Sequence, residues 1–242
     1  MAAERTDTGK HRHVNEDATL CISGKGVFCV ADGVGGAEAG HKASQLVVDH
    51  LAEAFTGPTQ TALPLATMTE TATTALNTAS KAILEMANER GYRGTASTVV
   101  ALLLTPDAPD QGAVLHAGDS CLYRIREERI EQMTQNHTYA EMLGYTNPME
   151  VPARMRGVIT RAVGVHETVE LEMTHVDVQP DDILLLCSDG LYGMVSRNGI
   201  NHIIREHQSG SLPSMADALI DAANHGGGRD NISVVLVRVP SA

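Results

Sequence analysis

Four short segments, widely separated along the chain, each set an aspartate at a turn: Asn15-Glu16-Asp17, Val30-Ala31-Asp32-Gly33, Leu186-Cys187-Ser188-Asp189-Gly190 and Gly228-Arg229-Asp230-Asn231. A carboxylate at a strand end, beside glycine that lets the backbone come close, is how a fold gathers oxygen donors around a hard divalent cation. Taken singly, each segment reads as a tight turn or a loop capping a strand. Their joint occurrence is what constrains the fold, because the carboxylates come from opposite ends of the polypeptide and must converge.

The net charge of -12 argues against a nucleic-acid partner, since nothing would neutralise phosphates along a duplex. It argues equally against an anionic membrane surface. Metal ions and one arginine would still let an acidic chain bind phosphate locally. No linker, charge run or repeat divides the 242 residues, so they read as one domain. The first residues lack the apolar core of a signal peptide, and no apolar run reaches membrane-spanning length. Cys21, Cys29, Cys121 and Cys187 show no CxxC spacing and mostly lie within apolar runs, which reads as buried reduced thiols. These features point to the cytoplasm.

Apolar runs at 27–31, 99–104, 183–187 and 234–237 read as strands covered on both faces, with further strands at 18–22, 113–117, 122–125, 159–163 and 168–175. Ala43, Leu46, Val47, Leu51 and Ala54 follow helical spacing. So do Leu65, Met68, Ala72, Ala75, Ala79, Ala82 and Met86, as one stripe of a long helix. Ser196 reads as the N-cap of a helix carrying Ile200, Ile203, Ile204 and His207, and Met215, Ala218, Leu219 and Ala222 mark another. The elements do not alternate as in a doubly wound fold; many strands with helices outside fits better. Residues 134–156 dissolve into Asn, His, Gly and Pro punctuation around a short amphipathic piece at 139–143, which reads as a long ordered loop or lid.

Several chemistries are excluded by spacing. The dinucleotide fingerprint fails because Glu38 stands where Gly33-x-Gly35 requires a glycine. The P-loop fails because His41 replaces its lysine. His11-x-His13 lacks any HExxH or Cys/His cluster that would support zinc. A thiol phosphatase needs an arginine six residues after its cysteine, where this chain has Val27, Gly35, Glu127 and Gly193. Arg12, just before Asn15-Glu16-Asp17, suits bidentate capture of a phosphate, or forms a solvated basic patch with Lys10, His11 and His13.

With these blocks in view, the chain resembles the metal-dependent Ser/Thr protein phosphatases, the PPM or type 2C family, in its compact bacterial form. The resemblance spans about residues 6 to 239. It rests on Arg12-x-x-Asn15-Glu16-Asp17, Val30-Ala31-Asp32-Gly33-Val34-Gly35-Gly36 with Ala39-Gly40, Gly94-Thr95-Ala96-Ser97-Thr98, and Ala117-Gly118-Asp119-Ser120. Thr160-Arg161-Ala162-Val163-Gly164, Leu186-Cys187-Ser188-Asp189-Gly190-Leu191 and Gly227-Gly228-Arg229-Asp230-Asn231-Ile232 complete the set, in the family's order.

The resemblance implies an α+β fold: a four-layer α-β-β-α sandwich of two antiparallel sheets flanked by helices. It implies that Asp32 bridges two Mn²⁺ or Mg²⁺ ions, that the Gly33 carbonyl completes one site, and that Asp189 and Asp230 hold the other. Glu16 and Asp17 would bind or orient metal waters, Asp119 would join Asp189 at a third, weaker metal site, and Arg12 would grip the phosphoryl oxygens. Two ions about 3.5–4 Å apart would generate a bridging hydroxide that attacks phosphorus in line, with no phosphoenzyme. The implied substrates are phosphoserine and phosphothreonine proteins, with a cognate bacterial Ser/Thr kinase as counterpart. The rival readings are a catalytically weak phosphoprotein-binding relative and a small-molecule phosphoesterase. The chain departs from the family's pattern at Val34, where many eukaryotic members carry a histidine proposed as general acid. It also departs at Gly193 and Asn136, where acidic residues are common.

Overall fold

The computed structural model describes residues 1–56, 63–105, 108–145, 150–152, 155 and 157–240. Its strands are β1 (Ala2–Asp7), β2 (Asp17–Ile22), β3 (Val27–Val34), β4 (Ala96–Ser97), β5 (Val99–Thr105), β6 (Ala108–Ala117), β7 (Cys121–Arg126), β8 (Arg129–Gln132), β9 (Glu172–Asp177), β10 (Ile183–Cys187) and β11 (Ile232–Arg238). Its helices are α1 (Ala37–Phe55), α2 (Leu65–Arg90), α3 (Tyr139–Met142), α4 (Asp189–Tyr192), α5 (Arg197–Glu206) and α6 (Leu212–His225). One sheet runs β1-β11-β10-β7-β8 and the other β2-β3-β5-β6-β9, with β4 paired to β3. Every named strand pairing is antiparallel.

The continuous apolar runs are explained by burial on both faces with a period of two. Phe28, Val30, Leu102, Val114, Leu184, Leu186 and Val235 meet between the two sheets. Their sequence neighbours Val27, Cys29, Ala31 and Leu103 face the other way, onto α1 and α2. Ile183, Leu185 and Cys187 likewise turn outward onto α5 and α6. Helix, sheet, sheet and helix therefore stack as the expected four-layer α+β sandwich.

Both long helices form where their stripes predict, with one adjustment. The buried line of α2 runs Met68, Ala72, Ala75, Leu76, Ala79, Ser80 and Ile83, so Leu76 and Ile83 take the place expected of Ala82 and Met86. Ser196 does cap α5, its side chain accepting from the Gly199 amide. The expected strand at 159–163 is absent. Ile159 and Val163 make only isolated bridges, to Thr138 and Ser97. Cys29, Cys121 and Cys187 are buried, but Cys21 is only partly so. No helix among the described residues is long and apolar enough to cross a membrane. Of the expected lid at 134–156, residues 146–149, 153, 154 and 156 lie outside the described set.

Candidate metal-binding active site

Antiparallel register brings the aspartates together. In one sheet Cys121 pairs with Cys187, and Cys187 with Val234. Asp119 therefore enters β7, Asp189 leaves β10 and Asp230 leads into β11 at the same sheet end. In the other sheet Asp17 and Asp32 are directly opposed across β2 and β3. Opposed residues of an antiparallel pair share a face, and like charges there are destabilising. Two carboxylates placed so, against three more from the facing sheet, call for a counter-charge.

These groups surround a cavity of about 550 Å³, lined by Arg12, Glu16, Asp32, Gly33, Asp119, Asp189 and Asp230 among others. Val34 stands on its wall, and Gly157 and Ile159 reach it from the far end of the expected lid. Asp17 lies behind the lining, buried, with Oδ2 accepting from Ser188 Oγ at 2.8 Å. Among the described residues at this site, three buried carboxylate oxygens have no hydrogen-bond donor: Glu16 Oε1, Asp17 Oδ1 and Asp189 Oδ1. A buried polar atom without a partner is costly. An all-oxygen set with unsatisfied lone pairs fits a hard divalent cation.

The electrostatics agree. Burial, followed by the charges of Asp17, Asp189, Asp119 and Asp230, holds the Asp32 pKa well above the usual carboxylate range. Asp189 is pushed up to about 8 by burial and then by Asp119, Asp230 and Asp17. Asp17 and Asp119 each rise to about 6, chiefly through burial. Glu16 is raised by burial against the opposing pull of Arg12. Without cations the cluster retains protons; cations would displace them.

Backbone contacts hold the carboxylates in place. The Asp32 amide donates to Thr98 Oγ1 at 2.9 Å, and the Asp32 carbonyl accepts from the Thr98 amide at 2.8 Å. Asn231 ties the two chain ends together: its Oδ1 accepts from the Glu16 amide at 2.9 Å, and its Nδ2 donates to the carbonyls of Thr8 and Val14. Gly33 cannot be replaced by a larger residue, because a Cβ there would run into the Gly40 carbonyl and the Glu16 carbonyl. Arg12 is half-exposed at the mouth. Its Nη2 lies 2.8 Å from Asp230 Oδ2 and its Nη1 3.5 Å from Glu16 Oε2.

All eight residues expected at the site are thus gathered at one end of the two sheets, seven on the cavity wall and Asp17 behind it. Thr98, Ser188 and Asn231 are functional residues that sequence reasoning misses, although each lies within one of the motifs above. For Ser188 and Asn231 the signal is a hydroxyl or amide beside an aspartate; Thr98 has none. Tyr192 and Glu172, near the Asp119 turn, carried no sequence signal.

Residues 9–223 match the family described as protein phosphatase 2C. The chain belongs to that family. It is 34% identical to the serine/threonine phosphatase Stp of Listeria welshimeri, covering 98% of this chain and 95% of that protein. Among solved structures, PppA from Pseudomonas aeruginosa is similar at a TM-score of 0.86 and 33% identity, over 98% of this chain and 96% of that one. The catalytic domain of the phosphatase PstP, solved with two manganese ions, is similar at a TM-score of 0.82 and 31% identity, over 100% and 98%. As a protein phosphatase 2C, the chain is a Mn²⁺- or Mg²⁺-dependent Ser/Thr protein phosphatase.

Proposed function

We propose that residues 1–242 form one catalytic domain that removes phosphate from phosphoserine and phosphothreonine in proteins at the acidic cavity, in a single in-line step. The observation that carries this reading is the trio of donorless carboxylate oxygens, buried at the meeting point of both sheets. Asp32 would be shared by two ions, with the Gly33 carbonyl on one and Asp189 and Asp230 on the other; Asp119 with Asp189 would hold a third. When bound, such ions lower the pKa of a water and neutralise charge on the phosphoryl group.

The chain's own groups do the rest. Arg12 stands at the mouth, oriented by Asp230 and Glu16, where its guanidinium can take two phosphoryl oxygens. A phosphate arriving there competes with Asp230 for the arginine, which leaves Asp230 free for a cation. Glu16 and Asp17 orient water, Asp17 being fixed by Ser188. Val34 supplies no proton, so no side chain is assigned as general acid. Residues 134–156 would act as a lid over the bound phosphoprotein.

We further infer that the chain works in the cytoplasm and reverses a bacterial Ser/Thr kinase. The test is turnover of phosphoserine, phosphothreonine and phosphotyrosine peptides with Mn²⁺, with and without a chelator. Chelator-sensitive turnover of the first two is expected. Activity confined to small phosphoesters would replace the protein substrate, and binding without turnover would make the chain a phosphoprotein-binding relative.

A further inference from the structure

His137 follows β8 and is buried against the turn that carries Asp119. Two hydrogen bonds fasten it there. The His137 amide donates to the Gly118 carbonyl at 2.8 Å, and the Gly118 amide donates to His137 Nδ1 at 3.3 Å. Because Nδ1 accepts, the ring proton sits on Nε2, which donates to Glu172 Oε2 at 3.2 Å on β9; Arg161 Nη1 lies 3.1 Å from the same nitrogen, and both groups meet the Glu172 carboxylate. Arg161 approaches the same carboxylate at 3.5 Å and Glu170 at 3.2 Å, so Glu172 is held from two sides. A second arm reaches the next residue. Tyr192 Oη donates to the Asp119 carbonyl at 3.0 Å, and Asn136 Nδ2 donates to Tyr192 Oη at 3.3 Å.

The same short stretch grips Ile159 and Thr160, just past the 134–156 segment. The Thr160 amide donates to the His137 carbonyl at 2.8 Å, and Thr138 bridges Ile159, which lines the catalytic cavity.

His116, His137 and Glu172 lie close enough for three ligand atoms to meet one ion. The geometry opposes that use. The two imidazoles stack at 4.4 Å with planes 12° apart, so their in-plane lone pairs run parallel instead of converging. His116 Nε2 is committed to the Gln135 carbonyl, which leaves its Nδ1 buried without a partner, but the Arg161 guanidinium already supplies a cation beside Glu172.

With Asp119 taken as a metal ligand, as proposed above, we propose that His137 is the positioning residue for that carboxylate. Its imidazole, fixed in one tautomer by Glu172, holds the Gly118 amide and so sets Asp119, and its backbone joins that turn to Thr160. Outer hydrogen bonds of this kind orient a ligand and tune metal affinity.

Two near-isosteric variants separate its bonds. Asparagine places an amide oxygen near Nδ1 and keeps the acceptor for Gly118. Glutamine places an amide nitrogen near Nε2, keeps Glu172 and loses that acceptor. Mn²⁺ binding to the full chain is followed by the electron paramagnetic resonance of free Mn²⁺, alongside thermal melting. His137→Gln is expected to weaken the weakest Mn²⁺ by about tenfold. His137→Asn is expected to stay within about threefold of wild type, the tighter ions being unchanged in both. Equal Mn²⁺ binding in His137→Gln and wild type overturns the role of His137, while loss of the weak ion in Asp119→Asn would leave Asp119 standing. If Asp119→Asn changes no Mn²⁺ site, the ligand reading and the positioning role fall together. Should His137→Gln not fold, Glu172→Leu, which leaves the ring but frees its tautomer, takes its place with the same expected loss; unchanged affinity there also overturns the proposal.

Discussion

Removing the cations should make the protein's stability fall as pH rises through the neutral range, which is the reverse of ordinary acid denaturation. A carboxyl whose pKa rises on folding retains a proton that the unfolded chain has released. Its contribution to stability is complete below the unfolded pKa and is lost as pH climbs through the folded one. For Asp17 and Asp119 that loss is finished a little above pH 6. For Asp189, raised to about 8, it spans the neutral range. One retained proton corresponds to about 1.4 kcal/mol per pH unit. Between pH 6 and pH 8 Asp189 alone therefore loses roughly 2 kcal/mol. Asp32, held well above the usual carboxylate range chiefly by burial, acts in the same direction. The Asp189 share alone is a substantial part of the roughly 5–15 kcal/mol of a typical domain.

The assay is urea unfolding of chelator-treated protein at pH 6, 7 and 8, repeated with saturating Mn²⁺. The metal-free midpoint should drop across that range, and the stabilisation by Mn²⁺ should grow with pH as fewer protons compete for the site. Asp189→Asn, which deletes one of the repelling charges, should flatten the metal-free slope and reduce the Mn²⁺ effect. A metal-free midpoint that is constant or rises from pH 6 to pH 8, or an Mn²⁺ effect equal at both ends, would refute the reasoning.

Other consequences follow from single groups. Asp32→Asn should abolish turnover of an aryl phosphate with its circular dichroism spectrum intact, since the change alters charge without volume; wild-type rates would remove Asp32 from the centre. Arg12→Ala should raise KM for phosphopeptide with little change in kcat, read from steady-state kinetics, because it removes grip on the bound phosphate. The reverse split would give Arg12 a role confined to the transition state. Gly33→Ala should lower the melting temperature markedly and impair turnover, because the added methyl collides with two backbone carbonyls; a melt unchanged from wild type would contradict the close approach of β3 and α1.

The aspartates and the long helices were legible because each has a local cause: a carboxylate next to a turn glycine, or an apolar stripe of period 3.6. β1 had none. It pairs with β11 from the opposite end of the chain, and Glu4, Arg5 and Thr6 carry no apolar alternation, so only the pairing makes them a strand. β8 is equally polar and is recognisable only beside β7. The segment at 159–163 failed in the opposite sense. Ile159 and Val163, at even spacing, suggest a strand, yet the segment's backbone bonds go to Thr138, His137 and Ser97 outside any ladder. It serves as a strap across the site's edge and adds nothing to a ladder.

The same distinction explains which parts of the site the sequence revealed. Carboxylates announce themselves, because a buried aspartate at a strand end has few purposes. The groups that aim them do not, because a serine, asparagine or histidine in a loop has many. Ser188 joins the Asp189 turn to Asp17, 171 residues away in the chain, and Asn231 joins the Asp230 loop to the Glu16 amide over 215. Such bonds are properties of the assembled sheets. They also make the site cooperative with the fold: β2 and β3 cannot separate from β10 and β11 without dismantling the carboxylate cluster. Ions that draw the cluster together would thereby clamp the two sheets at that end. The strongest protection of backbone amides on adding Mn²⁺, measured by hydrogen exchange, is accordingly expected at Asp17, Asp32 and Ser188 and not in α2; protection spread evenly over the helices would show that the ions stabilise the protein by some other route.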